Sequence, residues 1–198
     1  MKRVGKTRGI WRVARFMALW LGCLVVSSCG DTQNEYTSHH CYFVFDNQTH
    51  NDPTLAAAMT PYSGVFTTIS LTTKGGARYF VFKSNQNISS DKIFNNIDSQ
   101  RTLILGMNDG IIVGYGTLSD PLTFYAYDRE CPNCYDDSRI PIRSFPITVS
   151  SNGIGTCNNC HRQYDLNNGG IIGSGDGGLK LTRYRAFTTG PYGILTVN

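Results

Sequence analysis

The chain has 198 residues, 40% of them hydrophobic and 12% aromatic, with 18 Lys+Arg against 14 Asp+Glu and seven cysteines. Six cations (Lys2, Arg3, Lys6, Arg8, Arg12, Arg15) and no acid lie in residues 1–28, so residues 29–198 hold 12 Lys+Arg against 14 Asp+Glu, a formal charge of −2. That balance excludes a nucleic-acid partner, which needs a lasting basic surface. The remaining stretch of about 170 residues is long enough for one domain with a real core.

Residues 1–28 read as an address and not as part of the fold. The charged start is followed by the apolar run Phe16 to Val26, too short for a stable membrane span. Val26-Ser27-Ser28-Cys29 resembles a bacterial lipoprotein signal, in which Cys29 becomes the acylated first residue after cleavage. That pattern implies a cell-envelope protein, lipid-anchored in the outer membrane or at the cell surface of a Gram-negative bacterium. Residues 29–40 are polar and aperiodic and read as a tether. His39 and His40 precede Cys41, but no partner stands at ligand spacing; they read as a surface pair beside a buried thiol.

From Cys41 on, one domain (41–198) is expected, built mostly of short antiparallel strands. Cys41–Phe45 and Val65–Thr72 alternate, and Lys74-Gly75-Gly76 turns the second into Tyr79–Phe82 as a hairpin. Asp52-Pro53 can start a helix through Met59, and Ser90-Asp91 another through Asn96. Thr102–Leu105 and Ile111–Val113 flank Asn108-Asp109-Gly110, a second hairpin pattern. Leu122–Tyr127 is a strand that leads into Cys131. Ile147–Val149 and Ile154–Thr156 form a third hairpin, and Tyr164–Leu166, Ile171-Ile172, Leu179–Tyr184 and Ile194–Val197 complete the set. Count and spacing predict an all-β fold, an antiparallel sandwich or barrel with one or two short helices.

Two Cys-x-x-Cys pairs carry the chemistry: Cys131-Pro132-Asn133-Cys134 and Cys157-Asn158-Asn159-Cys160. A four-residue knuckle lets two thiolates converge on one ion, and two knuckles supply a tetrahedral four-sulfur shell. The 22 residues between them allow a strand to leave the site and return. Competing motifs fail on context. Gly173 to Gly178 matches G-x-G-x-x-G formally, yet Leu179-Lys180-Leu181-Thr182 reads as strand where a dinucleotide site needs a helix. Cys131-Pro132-Asn133-Cys134 lacks the following helix that a thiol oxidoreductase uses to activate its sulfur. His161 adjoins the cluster, with Cys160 the better ligand. Lys180, Arg183 and Arg185 read as the solvated face of one strand.

The strand into Cys131-Pro132-Asn133, the hairpin, and then Cys157 through Leu166 with a Gly-rich turn and the strand Leu179–Tyr184 resemble the two boxes of a Rieske iron-sulfur domain, C-P-H and C-x-x-H-G-S-x-[FY]-D. The resemblance covers roughly residues 120–198, with Tyr164-Asp165 its best-placed support. The mature chain is also similar to a group of Bacteroides-type lipoproteins carrying such a unit. The ligand positions depart from the family: Asn133 and Cys160 stand where it has histidines, and Cys134 adds a fourth sulfur. Two imidazoles on one iron are what raise a Rieske potential, so the two-His centre cannot be built here. Three fillings of the site remain open at this level. One is a structural zinc, the second is an iron ion or 2Fe-2S cluster held by the four cysteines in an electron carrier, and the third is a pair of disulfides. An enzyme is not expected, because a closed four-cysteine shell leaves no position for substrate.

Overall fold

Alternation of side chains across a pleated strand, broken by glycine turns, organises residues 35–198, which the computed structural model describes. The expected signal (residues 1–28), Cys29 and the first part of the expected tether lie outside the described residues. In chain order the elements are β1 (Phe43–Asp46), α1 (Asn47–His50), α2 (Pro53–Ala58), β2 (Phe66–Lys74), β3 (Ala77–Ser84), β4 (Ser89–Ile93) and α3 (Asn96–Ser99). There follow β5 (Gly110–Tyr115), β6 (Phe124–Asp128), β7 (Ile147–Val149), β8 (Ile154–Cys157), β9 (Gln163–Asp165), β10 (Ile171–Ser174), β11 (Arg183–Tyr184), β12 (Ala186–Thr188) and β13 (Ile194–Val197). The fold is all-β, and the strand pairs are antiparallel throughout. Among the described residues no helix is long and apolar enough to cross a membrane.

Three sheets form. The central one has the order β11-β6-β5-β2-β3-β4, and β1-β13-β12 and β10-β9-β8-β7 make the other two. Strand alternation divides the core between the two faces of the central sheet. Ile69, Ile111, Val113 and Ala126 join Phe43, Phe45, Leu195, Val197 and Leu55 of α2 in one cluster. Phe66, Ile112, Tyr125 and Tyr127 point the other way and pack with Cys131, Ile147, Cys157, Tyr164 and Leu166. β5 is therefore buried on both faces, which is why GIIVG is apolar without alternation.

Several local expectations hold and others are corrected. Gly75 and Gly76 take φ of 56° and 81° in the β2–β3 turn, as a two-residue hairpin requires. Asp52 caps α2 by accepting from Leu55 N, with Pro53 in the first turn. The expected helix after Ser90-Asp91 is instead the edge strand β4, whose residues pair with Tyr79–Lys83 of β3. The helix begins later, at α3, where Asn95 and Asp98 form a reciprocal capping box. Leu103 and Leu105 reach the first core, but Ile104 bridges to Tyr42 and not to β5, so the second expected hairpin is a turn without paired arms. Arg183 is also no solvated strand residue. Its side chain is 11% exposed, pairs with Glu35 at 2.9 Å, and lies over the rings of Tyr36 and Tyr125. Residues 35–37, read as tether, thus rest on β11, with Thr37 N donating to Arg183 O.

Candidate metal centre

β6 runs on past Asp128 and delivers Cys131 beside the start of β7. Cys131 N donates to Phe145 O, Ile147 N donates to Arg129 O, and Glu130 bridges Pro146. β7 pairs in turn with β8 in the register Ile147↔Cys157, so the two knuckles leave the strands on either side of the start of β7. Each knuckle closes on its first cysteine carbonyl. Cys134 N and Tyr135 N donate to Cys131 O, and His161 N donates to Cys157 O with His161 at φ 59°. The sequence places two amides, Asn133 and Asn159, just before the second cysteines, and both serve the site.

All four sulfurs lie within 4.8 Å of one another. Two pairs cross between the knuckles, Cys131–Cys160 at 3.7 Å and Cys134–Cys157 at 3.8 Å. A tetrahedral ion with metal–sulfur bonds of about 2.3 Å has sulfur–sulfur edges of about 3.8 Å, so the donor set fits one metal ion. Bonded sulfurs would sit at about 2.05 Å, and the five described cysteines are free thiols. Cys131 and Cys157 are buried in the second core, whereas Cys134 and Cys160 are half-buried.

Around the sulfurs is a ring of hydrogen bonds. Asn133 Nδ2 donates to Tyr164 Oη at 2.9 Å and to Leu179 O at 2.8 Å, and its Oδ1 accepts from Leu179 N. Having accepted from Asn133, the Tyr164 hydroxyl is free to donate to Cys131 Sγ, 3.2 Å away. Asn159 Nδ2 donates to Cys134 Sγ at 3.3 Å. Arg162 donates to the carbonyls of Asp176 and Gly177, pinning the glycine loop that precedes Leu179 beside the second knuckle.

Three of the four thiols depart from their ordinary value, and not in the same direction. Burial pushes Cys131 far above its ordinary value, against the opposing hydrogen bond of Tyr164. Cys134 is raised, again chiefly by burial. Burial opposes ionisation of Cys160 as well, but hydrogen bonds from the Arg162 backbone and guanidinium and from Cys134 and Cys157 outweigh it and hold the thiol down to about 6. One thiolate therefore stands ready near neutral pH, and a cation arriving there draws protons off the rest.

The structure thus brings together the four cysteines singled out by spacing. Cys29 lies outside the described residues. His39, His40 and His161 are exposed and outside the group, while Cys41 is buried in the first core. The supporting roles of Asn133, Asn159 and Arg162 were missed; their only signal was amide and guanidine groups within two residues of a ligand. Compared with known proteins, the chain matches no family model, no curated protein and no solved structure.

Proposed function

We propose that the four thiolates hold one zinc ion as a structural staple, in a β domain displayed on the cell envelope by a lipid on Cys29. The observation that carries this reading is the closed set of four sulfurs with edges of 3.7 and 3.8 Å, the size of a single tetrahedral ion and with no open position. The ion would tie Cys131, at the end of the central sheet, to Cys157 at the end of β8, and its chemistry there is that of a cross-link. The charged start, the apolar run and Ser27-Ser28-Cys29 support the envelope placement. The motifs around Cys131 and Cys157 support a likeness to Rieske-like units, with Asn133 acting as a clamp at the position where that family has a ligand histidine.

A second reading has a specific observation behind it. Cys134 and Cys160 are half-buried, so one edge of the site faces solvent, and donors from Tyr164 and Asn159 reach the sulfurs. A single iron there would make an envelope electron carrier. The 4.8 Å spread of the sulfurs supports one ion over a 2Fe-2S cluster, which sets its two thiolate pairs apart by the width of the cluster.

Elemental analysis with a visible spectrum, on residues 31–198 purified without affinity metal from aerobic and anaerobic cultures, decides between them. About one zinc per chain and no colour supports the staple. Iron with visible absorption replaces it by the electron carrier, and a metal-free chain whose cysteines are all oxidised removes both. Envelope placement is tested separately: Cys29→Ser should abolish lipid labelling and release the chain from the membrane fraction.

A further inference from the structure

Among the described residues, Arg129 has no partner for its guanidinium. Each of the other seven described arginines lies on a carboxylate, a carbonyl or an aromatic ring. The Arg129 backbone is fixed, its N–H donating to Gly110 O and its carbonyl accepting from Ile147 N. Its side chain crosses β5 at Gly110, where a Cβ would come within 2.7 Å of Nε and 3.0 Å of Cζ, so glycine is what makes room for it. Nε is buried without a hydrogen bond, and no carboxylate lies within ion-pair distance of the group among the described residues. Glu130, next along the strand, is taken up by Asn108, Ser144 and Phe145 N.

A buried, unsatisfied N–H on a permanent cation costs stability unless something completes it. Arg129 lines a groove of about 300 Å³, to which Phe145, Pro146 and Ile147 contribute apolar surface and Asn158 and Asn159 amides. That volume is at the lower end of small-molecule sites. The lining is mixed and carries one positive charge, and a guanidinium fork matches the two oxygens of a carboxylate.

We propose that this groove binds a small organic carboxylate, its anionic head on Arg129 and its apolar part against Phe145, Pro146 and Ile147. The site shares Asn158 and Asn159 with the second knuckle but takes no sulfur, and its anchor, Arg129, is held by backbone bonds to Gly110 and Ile147, so it does not require the metal reading.

The test is an NMR titration of the isolated full-length chain with sodium benzoate at constant ionic strength, following the Arg129 Nε–H and the Asn158 and Asn159 side-chain amides. Saturable shifts with a Kd near or below about 1 mM are expected. Arg129→Gln should weaken binding at least about tenfold, whereas Arg139→Gln, on the exposed arginine paired with Asp136, should leave it unchanged. Thr148→Phe, which fills the groove and spares Arg129, should also abolish binding and serves if Arg129→Gln does not fold. Shifts that persist in both variants, that sodium chloride reproduces, or that inorganic phosphate matches at equal concentration would overturn the proposal.

Discussion

Cys131 Sγ sits in the second core, 3.7 Å from Cys160 Sγ and within reach of the Tyr164 hydroxyl, so its loss removes one of the four clustered sulfurs and a core contact, and with them, under the metal reading, a ligand. Cys131→Ser is expected to lose most of the bound metal and on the order of 3–5 kcal/mol, a melting-temperature drop of roughly 6–20 °C. Unchanged melting and metal content in that variant would sink the metal reading. Cys41 supplies the contrast. It is buried in the first core, away from the cluster, and burial pushes its thiol up to about 12. Below its ordinary value of 9.0 the thiol is protonated in both folded and unfolded chains. Above that value the unfolded chain ionises first, so stability falls as pH rises from about 9 toward 12. Urea melts at pH 8 and pH 10.5 check this: Cys41→Ala should flatten the alkaline decline and leave metal content intact. At this scale the sequence made the four-cysteine cluster legible, because Cys-x-x-Cys spacing is itself a geometric statement. It could not show that Asn133 clamps Tyr164 and Leu179, since those partners are 31 and 46 residues away and meet only in the fold.

The knuckles and the glycine loop behave as one element. Asn133 Oδ1 accepts from Leu179 N, and a Cβ on Gly178 would fall 2.4 Å from that oxygen. Gly178→Ala should therefore displace Asn133, free the Tyr164 hydroxyl from its donor and cost about 1–3 kcal/mol. A chelator-competition assay should show faster metal loss in this variant. Gly177→Ala, one residue earlier, meets nothing within 4 Å and should be silent in both measurements. Elements whose signal is local were readable: the β2–β3 turn from Gly75-Gly76, α2 from Asp52-Pro53, and the β7–β8 hairpin between the knuckles. β4 was not. Ser89-Ser90-Asp91-Lys92-Ile93 has the polarity of an exposed segment, and it is a strand only because the edge of β3 offers it partners. The same competition moved the helix to α3, where Asn95 and Asp98 cap each other. Ile104 likewise went to Tyr42, although the Asn108-Asp109-Gly110 turn had suggested pairing with β5.

The all-β class was legible from strand count and turn spacing, but the division of the core was not, because strand order is set by pairings between distant segments. β5 pairs with β2 and β6 and is buried on both sides, so one strand serves two cores. Only the second of these contains cluster sulfurs; the first holds Phe43, Phe45, Phe80, Phe82, Leu195 and Val197, with Cys41 its one cysteine. The strands β7 to β10 are 3 to 4 residues long, too short to be held well by their ladders alone. Metal removal should therefore act on one part of the molecule and spare the other. Under the metal reading, stripping the ion with a chelator removes the link between Cys131 and Cys157 while leaving the first core, to which β1, β2, β3 and β13 contribute, intact. Hydrogen exchange is expected to show amides of β8 and β9 losing protection by about a hundredfold or more, on the order of 3 kcal/mol of local opening energy, with β2 and β3 changed far less. A uniform loss across all three sheets would instead make the cluster a condition for the whole fold. No change anywhere would mean that the sulfurs do not staple these strands, whatever ion they hold.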